Sequence, residues 1–142
     1  MRIDFASFKE GRADAQALVQ RISGINVNLV ALGAGRLDWN YFKWEGHEDL
    51  WSSDVRETGI DFLAEDATRF HPWASVSTVV DVFAPRYITE HPHAAAVSWL
   101  GQRSEHLVST TELVQGEFGS LLLHMLDYIA AHYPVDSISL TE

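Results

Sequence analysis

The sequence predicts an α/β fold of parallel βα units with four strands. Three observations carry that prediction. Strand and helix patterns alternate from the first residues to the last, and each pair of successive strands is separated by enough chain to hold a crossover helix. Two of the strands are also followed by long segments, on the edge where α/β proteins place binding groups. Hydrophobic residues make up 46% of the 142, enough for one domain with its own core.

Each element has a local reason. RIDFA, from Arg2 to Ala6, reads as a short strand. GRADAQALVQRISG places Ala15, Leu18, Val19 and Ile22 at helical spacing, with Gly24 as the C-cap. INVNLVALGAG supplies a buried strand from Val27 to Leu32 that runs into a glycine turn. Gly33 and Gly35 do not extend to the GxGxxG of a phosphate-binding loop, because Asp38 holds the third place. A second helix runs from Thr58 to Phe70, with Leu63, Ala67 and Phe70 on one face. The third strand, Val76 to Phe83, is rich in β-branched residues and lies between Pro72 and Pro85. The clearest helix is EFGSLLLHMLDYIAAHYP, where Phe118, Leu122, Met125, Ile129 and Tyr133 recur at three and four and Pro134 ends the run. VDSISLT is the fourth strand.

Four strands and three helices use the whole chain, whereas a closed (β/α)8 barrel takes about 250 residues. The fourth strand also has no helix after it to cover it. The expected architecture is therefore the N-terminal half of a (β/α)8 TIM barrel, with residues 1–142 as one partial-barrel domain. Its open edges would be closed by a C-terminal half or by another copy in a homo-oligomer. The alternative is a self-contained doubly wound α/β domain, which would show strand order 2-1-3-4 instead of 1-2-3-4.

Composition narrows the function. Ten basic residues stand against 20 acidic ones, a net charge of -10. That argues against a nucleic-acid surface and against attraction to anionic membranes. With no cysteine, thiolate catalysis, disulfides and zinc–thiolate sites are excluded. MRIDFASFKE has no apolar run of signal-peptide length, and no 18-residue apolar stretch occurs elsewhere, so a cytoplasmic protein is expected.

The two long connections hold the candidate chemistry. In the first, Gly33 to about Ser53, Trp39, Tyr41, Phe42, Trp44 and Trp51 alternate with Asp38, Asn40, Lys43, His47, Glu48 and Asp49. Rings beside polar groups suit a ligand with apolar and hydroxylated faces, such as a sugar. The competing reading is that the rings pin the loop to the body of the domain. The second connection, Ala84 to about Gly116, contains EHPH, with Glu90, His91 and His93. Two histidines around a proline invite a metal-dependent hydrolase reading, but the restricted geometry and the lack of a third ligand of known position argue against a metal, and no cofactor is expected. Asp81 near the end of the third strand needs a partner such as Arg86 or a polar site. Arg36 and Arg86 follow strands two and three and suit orienting anionic groups. His71 precedes Pro72 at the opposite, N-terminal edge and is set aside.

From HPWASVSTVVDVFAP through EHPH to LVQGEFGSLLLHMLDYIAAHYPVDSISLTE, the chain resembles the glycoside-hydrolase-like TIM-barrel proteins. Tyr133, Val135, Asp136, Ile138 and Leu140 match a family strand of the form YDVDGIHFDD, and His91-Pro92 takes the His-Pro place. Pro134, Ser137, Ser139 and Thr141 depart from that pattern, leaving Glu142 as the carboxylate at the strand tip. The resemblance implies a glycoside hydrolase cleaving O-glycosidic bonds of a carbohydrate, with Glu142 as the acid/base and the second carboxylate on a later strand. The isolated chain is then expected to be inactive. Asp38, Trp39, Tyr41, Trp44, His47, Asp81, Arg86 and His91 are the expected substrate-binding residues. A non-catalytic carbohydrate-binding or scaffold domain is the alternative.

Overall fold

The structure, a computed structural model, describes residues 2–3, 24 and 27–141. The helix expected to end at Gly24 and the terminal Glu142 fall outside the described residues, Gly24 itself lying in a turn.

Four parallel strands form the sheet: β1 (Arg2–Ile3), β2 (Leu29–Arg36), β4 (Ser75–Asp81) and β7 (Ser137–Thr141). They lie side by side in chain order, β1-β2-β4-β7, and a short antiparallel strand β3 (Trp39–Asn40) pairs with the end of β2. The 2-1-3-4 order of a doubly wound domain is therefore not the one adopted. The sheet is open and does not close into a barrel.

Alternation sets one face of the sheet against the helices. Val30, Leu32 and Ala34 of β2, with Val76, Thr78 and Val80 of β4, are buried. They pack in one core with Leu63, Ala67 and Phe70 of helix α2 (Phe62–Phe70) and with Phe118, Leu122, Met125 and Ile129 of helix α5 (Glu117–His132). Thr78 is the one hydroxyl on this face of β4, and it is satisfied by donating to the Leu32 carbonyl across the strands at 3.2 Å. At the N-terminal edge, Asp136 holds β4 and the approach to β7 together. Its Oδ2 accepts from Val76 N–H and its own N–H donates to the Val76 carbonyl, both at 2.7 Å. His71 lies beside it, 3.8 Å from Oδ1, on this structural edge.

The connections are more structured than the sequence suggests. Strand β2 does not stop at Leu32 but runs through the glycines to Arg36, by way of a bulge. Gly33 pairs with Val79 and Gly35 with Val80, so Ala34 is an extra residue in β2. Gly35 takes φ +104°, and a Cβ there would meet Trp39 O at 2.6 Å and Asn40 Cα at 2.7 Å. The glycine reading as a plain turn is corrected on these grounds: Gly35 serves the strand bulge and the close return of β3 over it.

The helix expected from Thr58 to Phe70 begins only at Phe62, and a separate short helix precedes it. Helix α1 (Ser53–Thr58) ends at Gly59 in the left-handed region, φ 66°, and α2 restarts behind Asp61, whose carboxylate accepts from Ala64 N–H. The second long connection folds as helix α3 (Pro85–Glu90), a 3-10 turn (Pro92–Ala94), a hairpin of β5 (Ala95–Val97) with β6 (Arg103–Val108), and helix α4 (Thr110–Gln115). Asp81 Oδ1 accepts from Phe83 N–H at 2.8 Å, which turns the chain out of β4 two residues before the expected strand end.

The aromatic connection is fastened by one carboxylate. Asp61 Oδ2 accepts from Lys43 N–H at 3.0 Å and from the Tyr133 hydroxyl at 2.7 Å. Tyr128 donates to the Lys43 carbonyl at 3.0 Å. Both backbone groups of Lys43 are thus held, one from the start of α2 and the other from α5. The flanking Phe42 and Trp44 are fully buried. Phe42 lies 6.3 Å from the Tyr128 ring and 5.6 Å from the Tyr133 ring.

Helix α5 has a borrowed cap. Glu112 of α4 accepts from Phe118 N–H at 3.1 Å and from the Tyr87 hydroxyl at 2.6 Å. These two donors, the Tyr87 bond foremost, hold the Glu112 carboxyl below its ordinary pKa. Burial, reinforced by the same hydrogen bond, pushes the Tyr87 phenol up to about 12. Gly116 leaves room for that carboxylate, since a Cβ there would collide with it.

Three outcomes are expected. Gly35→Ala should lower stability by at least the ~1–3 kcal/mol of a strained backbone position, seen as a lower urea midpoint. In a double-mutant cycle, Asp61→Ala and Tyr133→Phe should be coupled by about 0.5–3 kcal/mol; strict additivity would show that the bond contributes nothing. The stabilisation from Glu112 should be present above the ordinary carboxylate pKa of about 4.3 and lost as pH falls through its lower folded value. Glu112→Gln should therefore be less stable than the parent at pH 7 and draw level with it in acid.

Candidate functional site

The carboxyl ends of β2 and β4, and the segments that leave them, enclose a cleft of about 320 Å³. That volume reaches the low end of the range for small-ligand sites, about 300–1,000 Å³. The turn and strand after β2 contribute Asp38 and Trp39, and the 3-10 turn Glu48–Leu50 with its exit contributes Asp49 and Trp51. Arg56 comes from α1 and Arg86 from α3. A smaller hollow of about 140 Å³ shares Asp38, Asp49 and Arg86 and extends toward Tyr87 and Leu121.

Asp38 is the joint of this site. Its Oδ2 accepts from Arg86 N–H at 3.0 Å and lies 3.7 Å from Arg36 Nε. Helix α3 has no side-chain cap of its own, since Ala84 precedes it. A carboxylate 48 residues upstream therefore satisfies one of its first N–H groups. The Arg36 guanidinium lies 5.2 Å from the ring centre of Trp39, a cation–π contact behind the cleft-lining indole. Arg86 pairs with Glu90 at 3.1 Å, which holds its guanidinium above its already high pKa.

The aromatic residues divide. Trp39 is 36% exposed, Trp51 is half-buried, and both line the cleft together with the edge of Tyr41. Trp51 is anchored by donating from Nε1 to the Trp44 carbonyl at 3.1 Å. Phe42 and Trp44 face inward and have no exposed surface. His47 packs against Trp44 with ring centres 3.9 Å apart and planes tilted by 32°, and it does not line the cleft. Cleft-lining and loop-pinning positions thus fall to different rings of the same segment.

Of the expected substrate-binding residues, Asp38, Trp39, Tyr41 and Arg86 come together around the cleft. Trp44 and His47 do not, and Trp44 is sealed in the core. Asp81 stands at the carboxyl end of β4, level with Arg36 of β2 and Thr141 of β7. His91 closes α3, its ring stacked 4.4 Å from that of Tyr87, and it lines neither hollow. Glu142, the expected acid/base, lies outside the described residues. His91 and His93 have ring centres 6.1 Å apart. Among the described residues no group of three or more histidine, aspartate or glutamate side chains is arranged to hold a metal, so the metal-dependent hydrolase reading lacks a third ligand there.

Trp51, Asp49 and Arg56 are site residues that sequence reasoning did not select. Trp51 and Asp49 carried a signal, since both belong to the aromatic segment. Arg56 carried none, because it lies on a helix that the sequence reading did not assign; it reaches the cleft by donating to the Asp49 carbonyl at 3.4 Å.

These features define an α/β domain with a mostly parallel sheet, four parallel strands and the short antiparallel β3, and a mixed aromatic and charged cleft on its carboxyl edge. No protein-family model matches the chain, and no curated protein shows significant similarity to it. In fold it is similar to the crystal structure of a hypothetical protein from Ruminiclostridium thermocellum ATCC 27405. The TM-score is 0.64 at 14% identity, over 99% of this chain and 74% of that one. No helix among the described residues is long and apolar enough to cross a membrane.

Proposed function

We propose that the chain is a carbohydrate-binding α/β domain of the (β/α)8-barrel type, with the saccharide held on the carboxyl edge of the sheet. The observation that carries this reading is the cleft itself. Two partly exposed indoles, Trp39 and Trp51, border it, and acidic and basic side chains alternate around them. Indole faces match the CH faces of a pyranose, while Asp49, Arg56 and Arg86 suit its hydroxyls. Strand order following the chain, β1-β2-β4-β7, supports the barrel reading, because a barrel adds each new strand beside the last.

Binding is better supported than cleavage. Glycosidic hydrolysis needs two carboxylates flanking the scissile bond, one of them free to give and take a proton. Asp38 and Asp81 each accept a backbone N–H, from Arg86 and Phe83 respectively, which ties them to the architecture. The glycoside-hydrolase reading accordingly depends on Glu142 and a further carboxylate.

Titration calorimetry against neutral tetrasaccharides of glucose, xylose and mannose tests the proposal. Binding is expected for at least one of them. Trp39→Ala and Trp51→Ala should each weaken it about tenfold, the ~1.4 kcal/mol expected of one lost ring contact. Aryl glycosides should release no phenol when incubated with the chain. Wild-type protein that binds no saccharide would overturn the reading, and turnover would restore the hydrolase one.

A further inference from the structure

The cleft adjoins a space of different character. Its own lining is mostly rings, hydroxyls and charges, whereas the hollow of about 140 Å³ beside it carries Leu37, Leu50, Tyr87, Phe118 and Leu121. Leu37 and Phe118 belong to the core, and the other three are partly buried and pack against it. Asp38, Asp49 and Arg86 line both spaces, and Glu90, paired with Arg86, completes the lining of the hollow. A polar rim is thus common to the cleft and to an apolar recess.

Contacts of their own fix the walls of this recess. The Tyr87 hydroxyl donates to Glu112 at 2.6 Å, and its ring lies 5.2 Å from that of Phe118 and 4.4 Å from that of His91. Leu50 is held in its 3-10 turn by an N–H that donates to the His47 carbonyl at 3.0 Å. Apolar surface left open in this way gains free energy when it is covered, and water inside it finds few partners. A further sugar unit would bring its hydroxyls against Leu37, Leu50 and Phe118 and lose their hydration. An aromatic ring has no such groups to desolvate, and Tyr87 and Phe118 offer it ring contacts. The size also fits, since a cavity of about 150 Å³ lined by aliphatic and phenylalanine side chains takes benzene.

We propose that the hollow is an aglycone subsite, so that the site takes an aryl glycoside with its sugar in the cleft and its ring in the hollow. The glycosidic oxygen then falls at the shared rim. Arg86, oriented by its 3.1 Å bond to Glu90, is the donor for it there. The inference rests on the carbohydrate reading above and adds the class of ligand to it.

Titration calorimetry of the full chain with phenyl and methyl glycosides of glucose, xylose and mannose, as both anomers, tests it. At least one phenyl glycoside should bind about tenfold tighter than its methyl counterpart, or better. Leu121→Trp, which fills the hollow, should bring that ratio close to unity. Leu121→Gln, which makes the recess polar at nearly constant volume, should lower it several-fold. Trp39→Ala should weaken both glycosides alike, because Trp39 lines the cleft and not the hollow. A thermal midpoint close to that of wild type separates these effects from unfolding, and either folded Leu121 variant suffices. Wild type that binds a methyl glycoside or a tetrasaccharide without preferring phenyl would overturn the subsite and leave the carbohydrate reading intact. A preference that survives in the folded Leu121 variants would do the same. Phenol that binds as tightly as the phenyl glycoside would overturn the subsite as well, since the sugar would then add nothing. No binding of any of these probes by wild type would overturn both.

Discussion

The one-residue bulge at Gly33–Gly35 is the constraint on which the site depends. It keeps Ala34 in the core, turns Arg36 to the side of Asp81, and lets β3 fold back close enough that no side chain fits at position 35. Without the phase shift, a guanidinium would be driven into the apolar layer between sheet and helices, at the steep desolvation cost of a buried charge. The strand would then have to unpair or slip. The same shift places Trp39 and Asp38 at the carboxyl edge, so cleft, helix cap and cation–π contact all descend from it.

A second constraint holds the segment that follows. Lys43 has both backbone groups bonded, its N–H to Asp61 and its carbonyl to Tyr128. With the backbone fixed there, Phe42 and Trp44 become part of the core between α2 and α5 instead of loop decoration. Trp51 can then hang from the Trp44 carbonyl and present its ring to the cleft. Burial pushes the Tyr133 phenol well above its ordinary pKa, and its bond to Asp61 adds to that, so it stays a donor throughout the physiological range. The rigidity of the site is therefore supplied from behind, by polar contacts buried at the helix ends.

Charges at the edge are compensated locally. Each arginine near the cleft has a carboxylate or carbonyl beside it: Arg36 has Asp38, Arg86 has Glu90, and Arg56 has the Asp49 carbonyl at 3.4 Å. Compensated charges of this kind direct hydrogen bonds without building a strong field of either sign. This fits the neutral, hydroxyl-rich ligand proposed above, on a domain whose overall charge is -10.

Much of the frame was legible in the sequence, because short-range periodicity encodes it. The spacing of Phe118, Leu122, Met125 and Ile129 is enough to define α5, and the β-branched run from Val76 is enough to define β4. Residues such as Asp38, Trp39 and Arg86 could be placed on the carboxyl edge simply because they follow strands. The tertiary structure alone decided the phase of β2 beyond Leu32, the start of the second expected helix at Phe62, and which rings turn inward. Those outcomes depend on partners far along the chain: Arg86 with Asp38, Tyr133 with Asp61, and Tyr128 with Lys43, separated by 48, 72 and 85 residues. Periodicity reports what a segment does with its own neighbours. Strand register and side-chain facing are set by contacts that exist only once distant segments have met.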